Sequence, residues 1–451
     1  MMSLNPMMTA VAIALLMGAG CSARGGAPGA GGEMADGSAS RPDGSARCMG
    51  LVTGEVRFPN GLMTVPNALV YATMPGREVE RSGECMQCIG TEGVIGSTTS
   101  GVDGRFVLRG LRPGTYDLVV EKGLFQRRLS ITVGCEELAL SPEDVALPGS
   151  ADEGRIPRIA VIQGAHDHME GVLAKLGLGE MSSSTTFSRR AFDLYPTQAT
   201  AMVDPSGSVD DSSTRELLRN PEALKVYDYL FVNCGSGLEG YGGMDVDAPA
   251  ATPMPADTLP TAELDEPRGL FEDDVVRSNL RAFVRRGGRL YVTDQSYDFI
   301  EQTFPASIDF SGGEGSGLGA SAEEVNAAEE GEDTPLLRGR VENAQLRAWL
   351  AYHGMIEEED TVPIRNLVGG WASVTSVSDD VTTWVSGNVG ARASVPLTLT
   401  FEAGCGRVLF TSYHTHSTDG DTPSRWLNAQ EMILGYLAFE IGTCVEDPIL
   451  I

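Results

Sequence analysis

The sequence predicts a multidomain chain: an all-β sandwich followed by a doubly wound α/β domain with an antiparallel extension, behind a leader and a tether. Three observations predict it. Residues 49–150 alternate apolar and polar residues in short runs broken by Gly, Pro and Asp, the period-two pattern of half-buried strands. After "GSADEGRIP" the runs become continuously apolar and alternate with helix-like segments, as expected of parallel strands covered on both faces. Finally, 451 residues at 42% hydrophobic and 21% charged can fill two or three cores.

The first segment, residues 1–20, carries an apolar run from Ala10 to Met17, too short for a membrane-spanning helix and suited to a cleaved export signal. Its "GAGC" ending resembles a bacterial lipobox, which implies lipidation of Cys21, with Ser22 directing the protein to the outer membrane or cell surface. Gly18 stands where a Leu is usual, and no basic residue precedes the apolar run. Residues 21–47 are Gly, Ala, Ser and Pro with scattered charge, a flexible tether between the anchor and the folded part. The expected partners are thus the membrane, through the lipid, and an envelope protein or glycan. A net charge of −29 without any Lys/Arg cluster excludes nucleic acid. Much of the acidity is local: Glu239 to Asp273 holds nine acidic residues against one Arg, and Ser311 to Pro335 holds seven against none, so both read as solvated insertions.

Residues 48–150 form the expected sandwich, with strands in "LVTGEVRF", "ALVYAT", "GRFVLRGL", "TYDLVVEKG" and "RRLSITV". The run "TTSGVDGRFVLRGLRPGTYDLVVEKG" resembles the carboxypeptidase regulatory-like domain, with its Asp-Gly-x-Phe and Gly-Leu-x-Pro-Gly-x-Tyr pattern. The resemblance implies a carbohydrate-binding-like fold, but Phe106 and Tyr116 read as core residues instead of an exposed sugar platform. Asp103-Gly104 and Pro113-Gly114 are turn formers, so the motif encodes folding. Cysteine usage agrees with export: Cys48 and Cys135 bracket the sandwich and are expected to pair, leaving Cys85 and Cys88 of "CMQC" as a local bridge. Four thiols could alternatively hold zinc, but one Cys-x-x-Cys with distant partners is a weak metal signal.

Residues 155–451 form the α/β domain. Its expected strands are "RIAVIQG", "DYLFVNCGSG", "RLYVTD" and "GRVLFTSY", with helices in "HMEGVLAKLG", "VVRSNLRAFVRRGG" and "WLNAQEMILGYLAFEIG". The runs "TVPIRNLV", "ASVTSV", "TTWVS" and "PLTLTFEA" supply the antiparallel extension. His168 after the first strand, "YDYLFVNCG", "LRAFVRRGGRLYV" and "GRVLFTSYHTH" resemble the class I glutamine amidotransferase-like fold and, within it, the ThuA-like proteins. That resemblance implies a flavodoxin-like sheet and a cysteine nucleophile on the turn after "RLYVTD". This chain has Asp294, Gln295 and Ser296 there instead. Cys234 ends the preceding strand and reads as a buried thiol, and His416 stands where the family has the carboxylate of its His-x-Glu ending.

Open α/β sheets bind ligands beyond the carboxyl ends of their strands, where His166, His168, Asp294, His414 and His416 should all lie. Strands about 4.8 Å apart in a flavodoxin-like order put the first and last parallel strands roughly 14 Å apart, which argues against one site shared by both His-x-His pairs. His414 and His416 are therefore expected as exposed rim residues, and no cofactor is expected. The expected role is non-catalytic binding or scaffolding at the envelope. The alternative is a hydrolase using Asp294 with His414 or His416, or Ser296 as nucleophile, with zinc or another divalent metal on His166, His168, His414 and His416.

Overall fold

The computed structural model describes residues 48–85, 87–182, 186–197, 212–236, 238, 269–312, 317–318, 328, 331, 334–367, 370–415 and 426–445. The leader, Cys21 and the tether lie outside them, as do His416 and most of both acidic insertions. Residues Arg47–Ile451 make one compact unit.

Seven strands build the two larger sheets of the first part: β1 (Gly50–Glu55), β2 (Leu69–Thr73), β3 (Val94–Thr99), β4 (Arg105–Leu111), β5 (Gly114–Lys122), β6 (Phe125–Val133) and β7 (Glu137–Ala139). They form a three-stranded sheet, β4-β1-β7, and a four-stranded sheet, β3-β2-β5-β6, whose apolar faces share a core that includes Val52, Val70, Phe106, Leu108, Leu118 and Val120. The alternation seen in the sequence is what fills that core, because successive side chains leave opposite faces of a strand. The Asp-Gly turn before β4 works as expected: Arg105 N donates to Asp103 Oδ1 at 3.0 Å and Gly104 sits at φ +73°. A Cβ on Gly104 would also lie 2.4 Å from the Val56 carbonyl oxygen, so only glycine fits. Tyr116 is core, its hydroxyl donating to the Arg112 carbonyl at 2.8 Å.

The second part is built on one nine-stranded mixed sheet. Its strands are β8 (Ile159–Ile162), β9 (Asp193–Tyr195), β10 (Tyr229–Val232), β11 (Arg289–Thr293), β12 (Thr334–Val341), β13 (Thr361–Leu367), β14 (Thr382–Val389), β15 (Arg392–Ala403) and β16 (Gly406–Thr411). The order is β9-β8-β10-β11-β16-β15-β14-β12-β13; the pairings from β9 to β16 are parallel and the rest antiparallel. Alternate residues of the parallel strands enter two cores, Val161, Phe231, Tyr291 and Leu409 on one side and Ile162, Val232, Val292 and Phe410 on the other. Burial on both faces explains why these strands read as unbroken apolar runs.

Among the helices that cover this sheet or join it to the first part are α1 (Met169–Leu173), α2 (Asp274–Arg285), α3 (Ala344–Tyr352) and α4 (Ala429–Glu440). Helix α2 is amphipathic and buries Val276, Leu280 and Phe283 against one face of the sheet. Helix α4 is apolar nearly all round and is buried along all but its last residue. It starts at a capping box in which Asn428 Oδ1 accepts from Glu431 N and Glu431 Oε2 accepts from Asn428 N, each at 2.9 Å.

Two extension strands depart from the sequence reading. "ASVTSV" does not join the large sheet: Val374–Val377 pairs with Ile308–Phe310 in a separate two-stranded sheet. Its place is taken by β12, which starts inside the segment read as an acidic loop, and Ser311 at the other end of that segment is buried. The Leu-Leu pair of "TPLLRGRV" supplies one buried and one exposed residue, too weak a pattern for recognition beside so many carboxylates.

The two parts are fused through apolar packing. Phe439 of α4 stacks on Phe125 at 4.2 Å and meets Phe58 edge-on at 4.8 Å, while Trp349 Nε1 of α3 donates to the Thr64 carbonyl at 2.8 Å. Lys122, nearly fully buried, pairs with Glu440 at 2.6 Å. Cys48 bonds to Cys135, with Cα atoms 5.4 Å apart. The expected Cys85–Cys88 bridge is not present. Cys85 bonds to Cys405 and Cys88 to Cys444, with Cα separations of 5.4 and 4.9 Å. The cause is local: the hairpin pairing Arg81–Ser82 with Cys88–Ile89 lies against the start of β16 and the end of α4, where Gln87 Nε2 donates to the Cys405 carbonyl at 2.9 Å.

These two bridges join sequence-distant parts, so replacing Cys88 and Cys444 together by Ala should lower unfolding stability by about 3 kcal/mol. Chemical denaturation measures the loss. Peptide mapping without reductant should recover Cys85 with Cys405, and a Cys85–Cys88 peptide would refute the pairing.

Candidate functional site

The carboxyl ends of β8, β10, β11 and β16 converge on one polar cluster. At the end of β11 the chain turns sharply into a 3-10 turn, Asp294–Tyr297, and Asp294 takes φ +44°. Left-handed backbone at a non-glycine residue is uncommon and is sustained only by surrounding contacts. Here Asp294 Oδ1 accepts from Ala372 N at 2.6 Å, and Oδ2 lies 2.8 Å from His414 Nε2 and 3.8 Å from Cys234 Sγ. All three side chains are largely withdrawn from solvent. The pairing follows from topology: β10, β11 and β16 are neighbours in parallel register, Val232 opposite Val292 and Thr293 opposite Thr411.

His414 is therefore not an exposed rim residue. Burial lowers its proton affinity, but the Asp294 carboxylate, with Asp167 adding to the field, reverses this and holds its pKa above the usual histidine value. The Gln430 side chain donates to the His414 carbonyl at 3.1 Å and fixes its backbone.

His166 and His414 also come closer together than strand spacing predicts. Strands β8 and β16 are indeed separated by β10 and β11, but the loop after β8 folds inward over those strand ends. Ala165 N donates to the Gly235 carbonyl at 3.0 Å and His166 N to the Cys234 carbonyl at 3.3 Å. The His166 ring comes to lie 6.2 Å from that of His414, nearly parallel to it. Gly235, at φ +75°, makes room, since a Cβ there would lie 2.6 Å from His166 Cδ2. Burial and the neighbouring His414 charge depress the His166 pKa, against the pull of Asp294.

What draws the loop inward is Asp167, which the sequence reading passed over. Fully buried, it accepts from Thr293 Oγ1 at 2.7 Å, Thr415 N at 2.8 Å, His168 N at 3.0 Å and the Thr415 hydroxyl. Thr293 Oγ1 in turn accepts from Cys234 N at 3.0 Å, and Thr415 Oγ1 from His168 N at 2.8 Å. One carboxylate thus ties together the ends of four strands. Its only signal in the sequence was its place between two histidines.

Other candidates fall elsewhere. The Ser296 side chain is fully buried and donates to the Asn233 carbonyl at 3.2 Å, turned beneath the strand ends. His168 faces Glu170, Nδ1 to Oε1 being 3.4 Å, while Asn233 Nδ2 holds the other Glu170 oxygen at 2.8 Å. Burial acts to lower the His168 pKa, but Glu170 and Asp167 outweigh it and the net shift is upward. The remaining histidine, His353, packs on Trp349 and Thr64 far along the chain from this cluster. His416 lies outside the described residues.

No family model matches this chain, and no curated protein matches it. Among solved structures it is similar to GBS52, the minor pilin of Streptococcus agalactiae, at 12% identity over 24% of this chain and 46% of the pilin, with a TM-score of 0.17. It is also similar to a cytoplasmic protein of Salmonella typhimurium, at 11% identity over 63% of this chain and 98% of that one, TM-score 0.30. PurLQS from Thermotoga maritima matches at 11% identity over 63% and 98% of the respective chains, TM-score 0.31. Likenesses this remote carry no argument about family or function.

The Asp167 network makes Asp167→Asn costly, because the amide presents a donor where four donors already converge. Loss of about 3 kcal/mol is expected by denaturant titration, several times that of an exposed Asp→Asn change. For His168, the raised pKa means that the folded chain holds the proton more tightly than the unfolded one. Its stabilisation is complete below the unfolded value of about 6.5 and is lost as pH rises through the folded value. The stability difference between wild type and His168→Gln should therefore be largest in mildly acidic buffer and shrink above neutrality. A difference that grows with pH would contradict the assignment.

Proposed function

We propose that this chain is an exported cell-envelope lipoprotein, anchored through Cys21, with a non-catalytic binding or scaffolding role. In this reading its first part is a carboxypeptidase regulatory-like sandwich and its second a flavodoxin-like, amidotransferase-like body without the family's nucleophile. Three disulfides suit an oxidising compartment, and no helix among the described residues is long and apolar enough to cross a membrane. The observation that carries the reading is the chemistry of the elbow. Where an amidotransferase needs an accessible thiolate, this chain has Asp294, buried, with one oxygen on the Ala372 amide and the other against His414. The expected partner is an envelope protein or a glycan.

One observation favours the alternative, a hydrolase using Asp294 with His414: the left-handed Asp294 backbone and the 2.8 Å approach of the imidazole resemble the strained turn of a nucleophile and its neighbouring base. The two readings separate in the native host. A deletion strain complemented with the Asp294→Asn protein, at wild-type abundance, should behave as one complemented with wild type. If that strain instead keeps the deletion phenotype, the hydrolase reading replaces the binding one.

A further inference from the structure

Cys234, Asp294 and His414 offer a sulfur, an oxygen and a nitrogen donor whose atoms all lie within 4.8 Å of one another. Each comes from the end of a different strand, β10, β11 and β16, and these strands are adjacent, so the sheet itself sets the spacing. Cys234 remains a thiol in a chain whose other described cysteines are all in disulfides. His414 Nε2 is buried and lies 2.8 Å from Asp294 Oδ2.

We propose that these three side chains form a metal site for a zinc-type divalent cation, with Cys234 bound as thiolate. Tetrahedral zinc, with bonds of about 2.0 to 2.3 Å, requires ligand atoms roughly 3.3 to 3.6 Å apart. The 2.8 Å nitrogen–oxygen and 3.8 Å sulfur–oxygen separations bracket that range, so rotamer adjustments of under an ångström complete the geometry. A mixed sulfur, nitrogen and oxygen set selects zinc over magnesium or calcium, which take oxygen ligands. The surroundings orient every ligand: Cys234 N donates to Thr293 Oγ1, Ala372 N to Asp294 Oδ1, and Gln430 to the His414 carbonyl. Three protein ligands leave a fourth position, and the His166 ring lies 6.2 Å from that of His414. The site is independent of whether the protein binds or catalyses, since a closed site stabilises and an open one activates water.

The test uses the full chain with its disulfides intact, stripped with chelator and titrated with Co²⁺ alone, then with Zn²⁺. One equivalent of Co²⁺ should bind, with a thiolate-to-cobalt charge-transfer band in the near ultraviolet and strong visible bands of a tetrahedral site, all displaced by Zn²⁺. Cys234→Ser should abolish the charge-transfer band, and Asp294→Asn and His414→Gln should each weaken binding on the order of 100-fold. His353→Gln, outside the cluster, should bind as wild type. Wild type that takes up no cobalt, or a charge-transfer band that survives Cys234→Ser, overturns the proposal. If the variants do not fold, X-ray absorption on the zinc-loaded wild type decides: one sulfur in the coordination shell supports the site and none refutes it.

Discussion

The buried Asp167 carboxylate is the constraint on which the functional end of this protein depends. Desolvating a carboxylate is tolerable only when strong donors surround it, and the donors available at the strand ends are Thr293, Thr415 and the His168 amide. Satisfying Asp167 therefore pulls the loop after β8 across two strands. His166 and His414 become neighbours as a consequence, and the Cys234 amide is fixed through Thr293.

The second constraint is the seam between the two β-rich parts. Helix α4 has almost no polar face, so it is soluble only if covered on both sides, by the large sheet and by Phe58 and Phe125 of the first part. The long-range disulfides Cys85–Cys405 and Cys88–Cys444 lock that seam near the point where Arg289 bonds to both Gln87 and the Ile441 carbonyl. The first part is thus a structural wall of the second, which places its turn motif in service of folding.

The turn after β11 joins a strained backbone to a polar cluster. The turn after β11 is left-handed at Asp294, and the carboxylate that occupies it is engaged from both sides. A carboxylate flanked by an imidazole and a thiol offers the mixed oxygen, nitrogen and sulfur donors that suit a cation.

The sequence by itself determined the strands and helices whose periodicity is strong: the alternating runs of residues 49–133, the apolar runs "IAVI", "YLFV", "RLYV" and "RVLF", and the helix in "WLNAQEMILGYLAFEIG". Side-chain direction in a strand or helix is set locally, so those patterns can be read from neighbours in the chain. Strand β12 could not be read, because its pattern is weak and an acidic segment runs into it. The site was legible only as a set of residues at strand ends. Tertiary structure alone decided that Cys85 and Cys88 bond away from each other, that Asp167 draws His166 toward His414, and that Cys234 meets Asp294 and His414. Each of these outcomes depends on where distant backbones cross and on which buried polar groups must find partners there. Residues more than 300 positions apart share no local period that could announce such meetings.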